Sequence, residues 1–157
     1  MIISTERLIL RPFCIEDLDD FFNILQEDKI EKYLPGIYSN NKEEIRENIE
    51  IYQNADFSND FYYAIIDKQT NKIIGAIVCV RTIGNTYDMS YFISKFQRDK
   101  GYMFEALEAF CRSIKKTIVR AIVHFFVKKD NKESIRLLEK LRAKLVCVHK
   151  MSLEFII

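Results

Sequence analysis

The 157-residue chain is poor in the residues that interrupt structure: it has four glycines and two prolines. No Pro/Gly-rich linker, repeat or low-complexity stretch divides it, so residues 1–157 read as one domain. No apolar run approaches the ~20 residues that a membrane-spanning helix needs, and the longest, "KIIGAIVCV", has the length of a strand. The opening "MIISTERLILRPF" sets Glu6, Arg7 and Arg11 inside its apolar pattern, unlike a secretory leader, which makes the cytoplasm the expected compartment. An excess of one charge is also missing. Twenty-four Lys and Arg against 23 Asp and Glu leave +1, which gives a nucleic-acid partner no support. The cysteines, Cys14, Cys79, Cys111 and Cys147, stand at least 32 residues apart and form no CxxC pair. All four are expected as reduced, buried thiols among apolar neighbours. The only histidines, His124 and His149, have no acidic cluster near them in sequence, and no metal site is predicted.

What is present is a folding composition: 48% hydrophobic, 13% aromatic and 30% charged residues. Arg7–Arg11 alternates as a strand that Pro12 ends. "IEDLDDFFNILQED" repeats apolar residues at helical spacing through Leu18, Phe21 and Leu25. After a turn at Tyr33–Gly36, "NKEEIRENIEIYQ" is a second helix with Ile45, Ile49 and Tyr52 inward. "DFYYAIID" and "KIIGAIVCVR" are strands joined by the turn "KQTN", and "TYDMSYFIS" is a third strand of a meander. A helix from about Lys100 to Lys116 buries Met103, Ala106, Leu107, Phe110 and Ile114. "VRAIVHFFV" is a strand, "DNKESIRLLEKLR" a helix with Asp130 and Glu133 at capping-box spacing. The tail "KLVCVHKMSLEFII" is strand-like, bent near His149–Lys150. The order β-α-α-β-β-β-α-β-α-β(-β) predicts an α/β (α+β) fold: a mixed, mostly antiparallel twisted sheet with helices on both faces. Its strand–helix–strand unit from Tyr87 to Val127 calls for a parallel, right-handed crossover.

One junction carries chemistry. In "FQRDKGYMFEALEAF" a loop meets a helix at Gly101, with Arg98 and Lys100 beside it. A helix N-terminus presents free N–H groups and partial positive charge, glycine allows close approach of a ligand, and the cations add full charge. These properties suit a diphosphate. The loop lacks the glycines and Lys-Ser/Thr of a P-loop, and it does not follow the first strand as a dinucleotide-binding turn does.

Four segments in order resemble the GNAT acetyltransferases, in particular the branch that acetylates ribosomal-protein N-termini: "TERLILRPFCIEDLDDFF", "YYAIIDKQTNKIIGAIVCV", "YDMSYFISKFQRDKGYMFEALEAF" and "DNKESIRLLEKL". The resemblance implies acetyl-CoA as co-substrate and an amine acceptor, either a protein N-terminus or a small amine. It implies no metal. It places the diphosphate on Arg98, Lys100, Gly101, Tyr102 and Met103. It places the pantetheine arm along the backbone of Phe92 and Ile93, with Asn131 beside that arm and Ser134 near the CoA tail. The reading of Asn131 and Ser134 as helix-capping residues stands beside that one. This chain departs from the family at Asp99, where glycine is usual, and at Met103, where a small residue is usual. It departs again at "LRA" (Leu141–Ala143), which replaces Leu-Gly-Phe, and at Leu138, where many relatives carry a tyrosine general acid.

The implied reaction is direct attack of a neutral amine on the thioester carbonyl. Asp88 and His124 are the candidate catalytic bases, with Tyr33 and Tyr91 as residues that line an acceptor pocket. The alternative is a degenerate GNAT domain that serves as a CoA-binding or regulatory module without turnover. A short final hairpin with an open edge favours pairing of two copies into a homodimer.

Overall fold

A computed structural model describes residues 1–27, 30–55 and 60–157. Eight strands form one sheet: β1 (Ile3–Ser4), β2 (Leu8–Pro12), β3 (Asp60–Asp67), β4 (Lys72–Arg81), β5 (Thr86–Ile93), β6 (Ile122–Lys128), β7 (Lys144–Val148) and β8 (Ser152–Ile156). Five α-helices pack with it: α1 (Leu18–Leu25), α2 (Ile30–Tyr33), α3 (Lys42–Gln53), α4 (Tyr102–Thr117) and α5 (Lys132–Lys140). The sheet order is β1-β2-β3-β4-β5-β6-β8-β7, and every neighbouring pair is antiparallel except β5 and β6. This is the mixed, mostly antiparallel α/β fold that the pattern predicts.

Period-two alternation sorts the strands into two cores. Tyr63, Ile77, Tyr87 and Phe125 point to the side covered by α4 and α5, where they meet Phe110, Ile114 and Leu138. Ala64, Ile66, Ala76 and Phe92 point to the other side, against Phe21, Leu25, Ile45 and Ile49 of α1 and α3. Each of the larger fully buried side chains contributes ~1.5–3 kcal/mol of transfer free energy.

Some elements differ from the sequence reading for identifiable reasons. β1 and α2 are too short to leave a periodic signal. The last strand before α5 begins at Ile122, because Arg120 turns the chain with φ 58°. The cap of α5 is Asn131, whose side chain accepts from Ser134 N–H at 3.2 Å, and not Asp130, which pairs instead with Lys32 at 2.7 Å. The first helix ends at Leu25; Asp28 of the predicted segment lies outside the described residues. The tail does fold into a hairpin within the chain, closed by His149 N–H on Ser152 C=O at 2.9 Å, and its second strand inserts between β6 and β7. β7 is thus the outer strand, and all five of its residues are exposed.

Candidate active site

β5 and β6 run side by side for only three pairs, Thr86–Ile122, Tyr87–Val123 and Asp88–His124. Beyond them β5 continues to Ile93 and β6 to Lys128, and the strands part. Between them lies a cleft of about 360 Å³, floored by Met89, Tyr91, Phe125 and Val127. Residues of β5 past Asp88 keep their pairing with β4 but have no β6 partner, so one edge of a central strand faces the cleft. Gly75 of β4 permits the strand approach on the other side: a Cβ there would stand 2.3 Å from the Phe92 carbonyl oxygen.

The N-terminus of α4 forms one end of the cleft. Its cap, Gly101, is left-handed at φ 79°, and its side gives no capping side chain. The first turn is held from outside by the chain's opening residues. Glu105 accepts from Thr5 Oγ1 at 2.5 Å, from Arg7 N–H at 2.9 Å and from Arg7 Nε at 2.7 Å. Arg7 Nη1 donates to the Lys100 carbonyl at 2.9 Å, and its guanidinium lies 4.4 Å from the centre of the Tyr102 ring. Burial alone raises the Glu105 carboxyl, but these donors outweigh it and hold the group below the ordinary carboxylate range. "TER" therefore acts as a clamp on the loop that carries Gly101.

Phe92, Ile93, Arg98, Gly101, Tyr102, Met103, Asn131 and Ser134 all line this one cleft, as does Asp99. Lys100 stands outside the lining, with Nζ on Gln97 Oε1 at 2.9 Å. Phe92 contributes backbone only; its ring packs 6.0 Å from Phe21 on the opposite face. Asn131 and Ser134 fill their helix-capping roles and line the cleft at once. Tyr91 enters the cleft and donates its hydroxyl to Ser134 Oγ at 3.1 Å. Burial pushes its phenol up to about 12. Tyr33, the last residue of α2, lines the cleft with Ile30 and Leu34, and Lys32 ties α2 to Asp130 beyond β6.

Asp88 and His124 are the last cross-strand pair before the fork, so they sit at its apex. Both point to the face opposite Tyr87, Met89 and Val123 and lie outside the cleft lining. His124 Nδ1 meets Glu154 Oε1 at 2.7 Å, and His149 Nε2 meets Glu154 Oε2 at 3.0 Å. A carboxylate only accepts, so each of these nitrogens carries a proton. The hydrogen bond from His149, then that from His124, lowers the Glu154 carboxyl. Sequence reasoning missed Glu154; its one signal is a charge inside the apolar strand "SLEFII".

A family profile described as acetyltransferase (GNAT) domain matches residues 7–144. The chain belongs to the GNAT acetyltransferase family. Solved structures agree in fold across nearly the whole length. A GNAT acetyltransferase from Bacillus anthracis is 22% identical, with 99% of this chain and 96% of that chain covered at TM-score 0.84. RimL, a ribosomal L7/L12 α-N-protein acetyltransferase in complex with coenzyme A, is 15% identical over 99% and 96% at TM-score 0.84. The ribosomal-protein-S5-alanine acetyltransferase of Vibrio fischeri is 14% identical over 99% and 94% at TM-score 0.76. A search of curated proteins gives no match.

The GNAT assignment explains two departures in backbone terms. Asp99 has φ 60° and Arg142 has φ 59°, both in the left-handed region where glycine is at ease. This GNAT chain keeps those backbone shapes without the glycines. Around Arg142 the C-terminus of α5 closes as a Schellman motif, with Ala143 N–H on Leu138 C=O at 3.0 Å and Arg142 N–H on Glu139 C=O at 2.9 Å. Leu138 itself is fully buried in the core, and its side chain is no stand-in for a tyrosine acid. Met103 is 7% exposed, packed in the core under α4 while it borders the cleft.

Proposed function

We propose that the protein transfers the acetyl group of acetyl-CoA to a primary amine by direct attack. The three-pair fork carries the reading, because it presents an unpaired β5 edge, a helix N-terminus and a deep apolar floor in one cleft. The pantetheine arm, itself an extended chain of amides, pairs with the free edge of β5 near Phe92 and Ile93. The diphosphate rests on the free N–H groups at the start of α4, with Arg98 beside it.

The acceptor arrives from the opposite face, at the apex. Asp88 draws in the ammonium there. His124 Nε2, its ring fixed through Nδ1 by Glu154, takes the proton that frees the nitrogen lone pair. The amine N–C bond then forms on the thioester carbonyl, whose developing oxyanion is met by β5 main-chain N–H groups, and the C–S bond breaks. The newly bonded nitrogen gives up its second proton to water, and the leaving sulfur takes its proton from water. A phenol held near 12 keeps its own proton more firmly than a thiol does, so Tyr91 steadies the thiolate as a hydrogen-bond donor through Ser134.

Calorimetry with acetyl-CoA and CoA, followed by thiol release over a panel of N-terminal peptides and polyamines, tests the proposal. Binding of both with release on at least one amine is expected; absence of binding overturns it. Binding without turnover on any amine favours the module reading, which Met103 at the cleft border supports.

A further inference from the structure

The outer face of the sheet beyond the cleft holds a second cluster of chemically able side chains. Cys147 on β7, His149 at its turn and Glu154 on β8 each offer a ligand atom, and these atoms lie within 4.8 Å of one another. We propose that Cys147, His149 and Glu154 form a binding site for a divalent transition metal of the zinc class. The site shares Glu154 with the His124 hydrogen bond used in the acyl-transfer reading, but it does not rest on that reading.

The backbone is arranged to make the cluster. β7 and β8 pair as Leu145–Phe155 and then Cys147–Glu154, with an irregularity between Leu145 and Cys147. A regular register would set Val146 opposite Glu154. The extra residue turns the thiol to the carboxylate instead, which is what bulges commonly achieve. His149 stands one residue past the end of β7, at the hairpin turn, and its imidazole reaches back to the same carboxylate. His149 Nε2 and Glu154 Oε2 are already 3.0 Å apart, and an ion that enters between them replaces the Nε2 proton, which moves through solvent to Nδ1, while the Cys147 thiol releases its own. With bonds of about 2.0–2.3 Å, a tetrahedral ion sets its ligand atoms roughly 3.5 Å apart, so rotation of the exposed Cys147 side chain closes the site.

The surroundings match what such sites use. Glu154 is gripped on its other oxygen by His124 at 2.7 Å, which fixes the carboxylate as an outer-shell partner does. The Phe126 ring lies 6.2 Å from His124 and 6.1 Å from His149 and walls the site on the β6 side. One thiolate, one imidazole and one carboxylate make a mixed set that favours Zn²⁺ or Co²⁺ over Mg²⁺ or Ca²⁺. A fourth position stays open to water.

The full chain, reduced and stripped with chelator, is titrated with Co²⁺ and followed by absorption. One equivalent should bind and give a sulfur-to-cobalt charge-transfer band, and Zn²⁺ should displace it. Cys147→Ser should abolish the band, whereas Cys14→Ser should keep it. His149→Ala should weaken Zn²⁺ binding at least tenfold, and His124→Ala by about 10-fold or more through the outer shell. His149 is 44% exposed at the side chain, so its variant tests the site even if Glu154→Gln fails to fold. No charge-transfer band, a band that survives Cys147→Ser, or affinity unchanged in His149→Ala overturns the proposal.

Discussion

Replacement of Glu105 by glutamine keeps the size of the side chain and removes its charge. Three donors converge on that carboxylate: Thr5 Oγ1, Arg7 N–H and Arg7 Nε. Glutamine offers one acceptor oxygen and turns an NH₂ toward one of those donors. Hydrogen bonds to a charged group contribute ~1.5–3 kcal/mol. The Arg7 side chain is 40% exposed, and solvent screening limits the ionic part to ~1 kcal/mol or less. The expected loss is about 2 kcal/mol, which for a chain of this size lowers Tm by ~4–8 °C. Differential scanning calorimetry at neutral pH measures it. The sign of the pH dependence follows from the depressed carboxyl: its contribution is present above the unfolded value of ~4.3 and is lost as pH falls through the folded value. The gap between wild type and Glu105→Gln should therefore close on acidification below about pH 4. Because Arg7 also holds the Lys100 carbonyl, the variant should bind CoA several-fold more weakly. Equal Tm values at pH 7, or a gap that does not change with pH, would refute the clamp.

Arg142→Gly relieves a left-handed residue at the end of α5 and should raise stability by ~0.5–1 kcal/mol in urea denaturation, since the αL cost of about 1–2 kcal/mol exceeds glycine's added unfolded-state entropy. A drop in midpoint contradicts it. Gly75→Ala places a Cβ against the Phe92 carbonyl, must push β4 from β5, and should cost ~1–3 kcal/mol together with CoA affinity in calorimetry. Tyr91→Phe should leave Tm within a few degrees and reduce kcat about tenfold with KM little changed, the mark of a bond strengthened in the transition state. An unchanged kcat removes Tyr91 from the reaction.

Local signals told most of the fold. "KQTN" between two β-branched runs, the stripe from Met103 to Ile114 and the alternation of "TYDMSYF" each describe an element that its neighbours suffice to form. The fork does not announce itself in this way. Whether β5 and β6 stay paired past Asp88 depends on how α4, α5 and the tail hairpin pack, and no residue of either strand encodes it alone. The junction at Gly101 was legible because its chemistry is contiguous. The Arg7–Glu105 clamp spans 98 residues, and the His124–Glu154–His149 group draws on β6, β8 and the turn before β8, with His124 and Glu154 30 residues apart, so neither has a motif spacing to read. The capping assignment slipped by one residue because Asp130 and Asn131 are both good caps, and the tie to Lys32 decides between them.

A sheet that divides after three pairs has an edge in its middle. Exposed edges invite other strands and so invite aggregation, and proteins blunt them at the outside of the sheet. The inner edge of β5 needs no charge or proline, because β6 and α5 flank it and a second sheet cannot reach it. Whatever pairs there must be one chain wide and must enter lengthwise. The fold thus sorts its partners by thickness before any side chain is consulted.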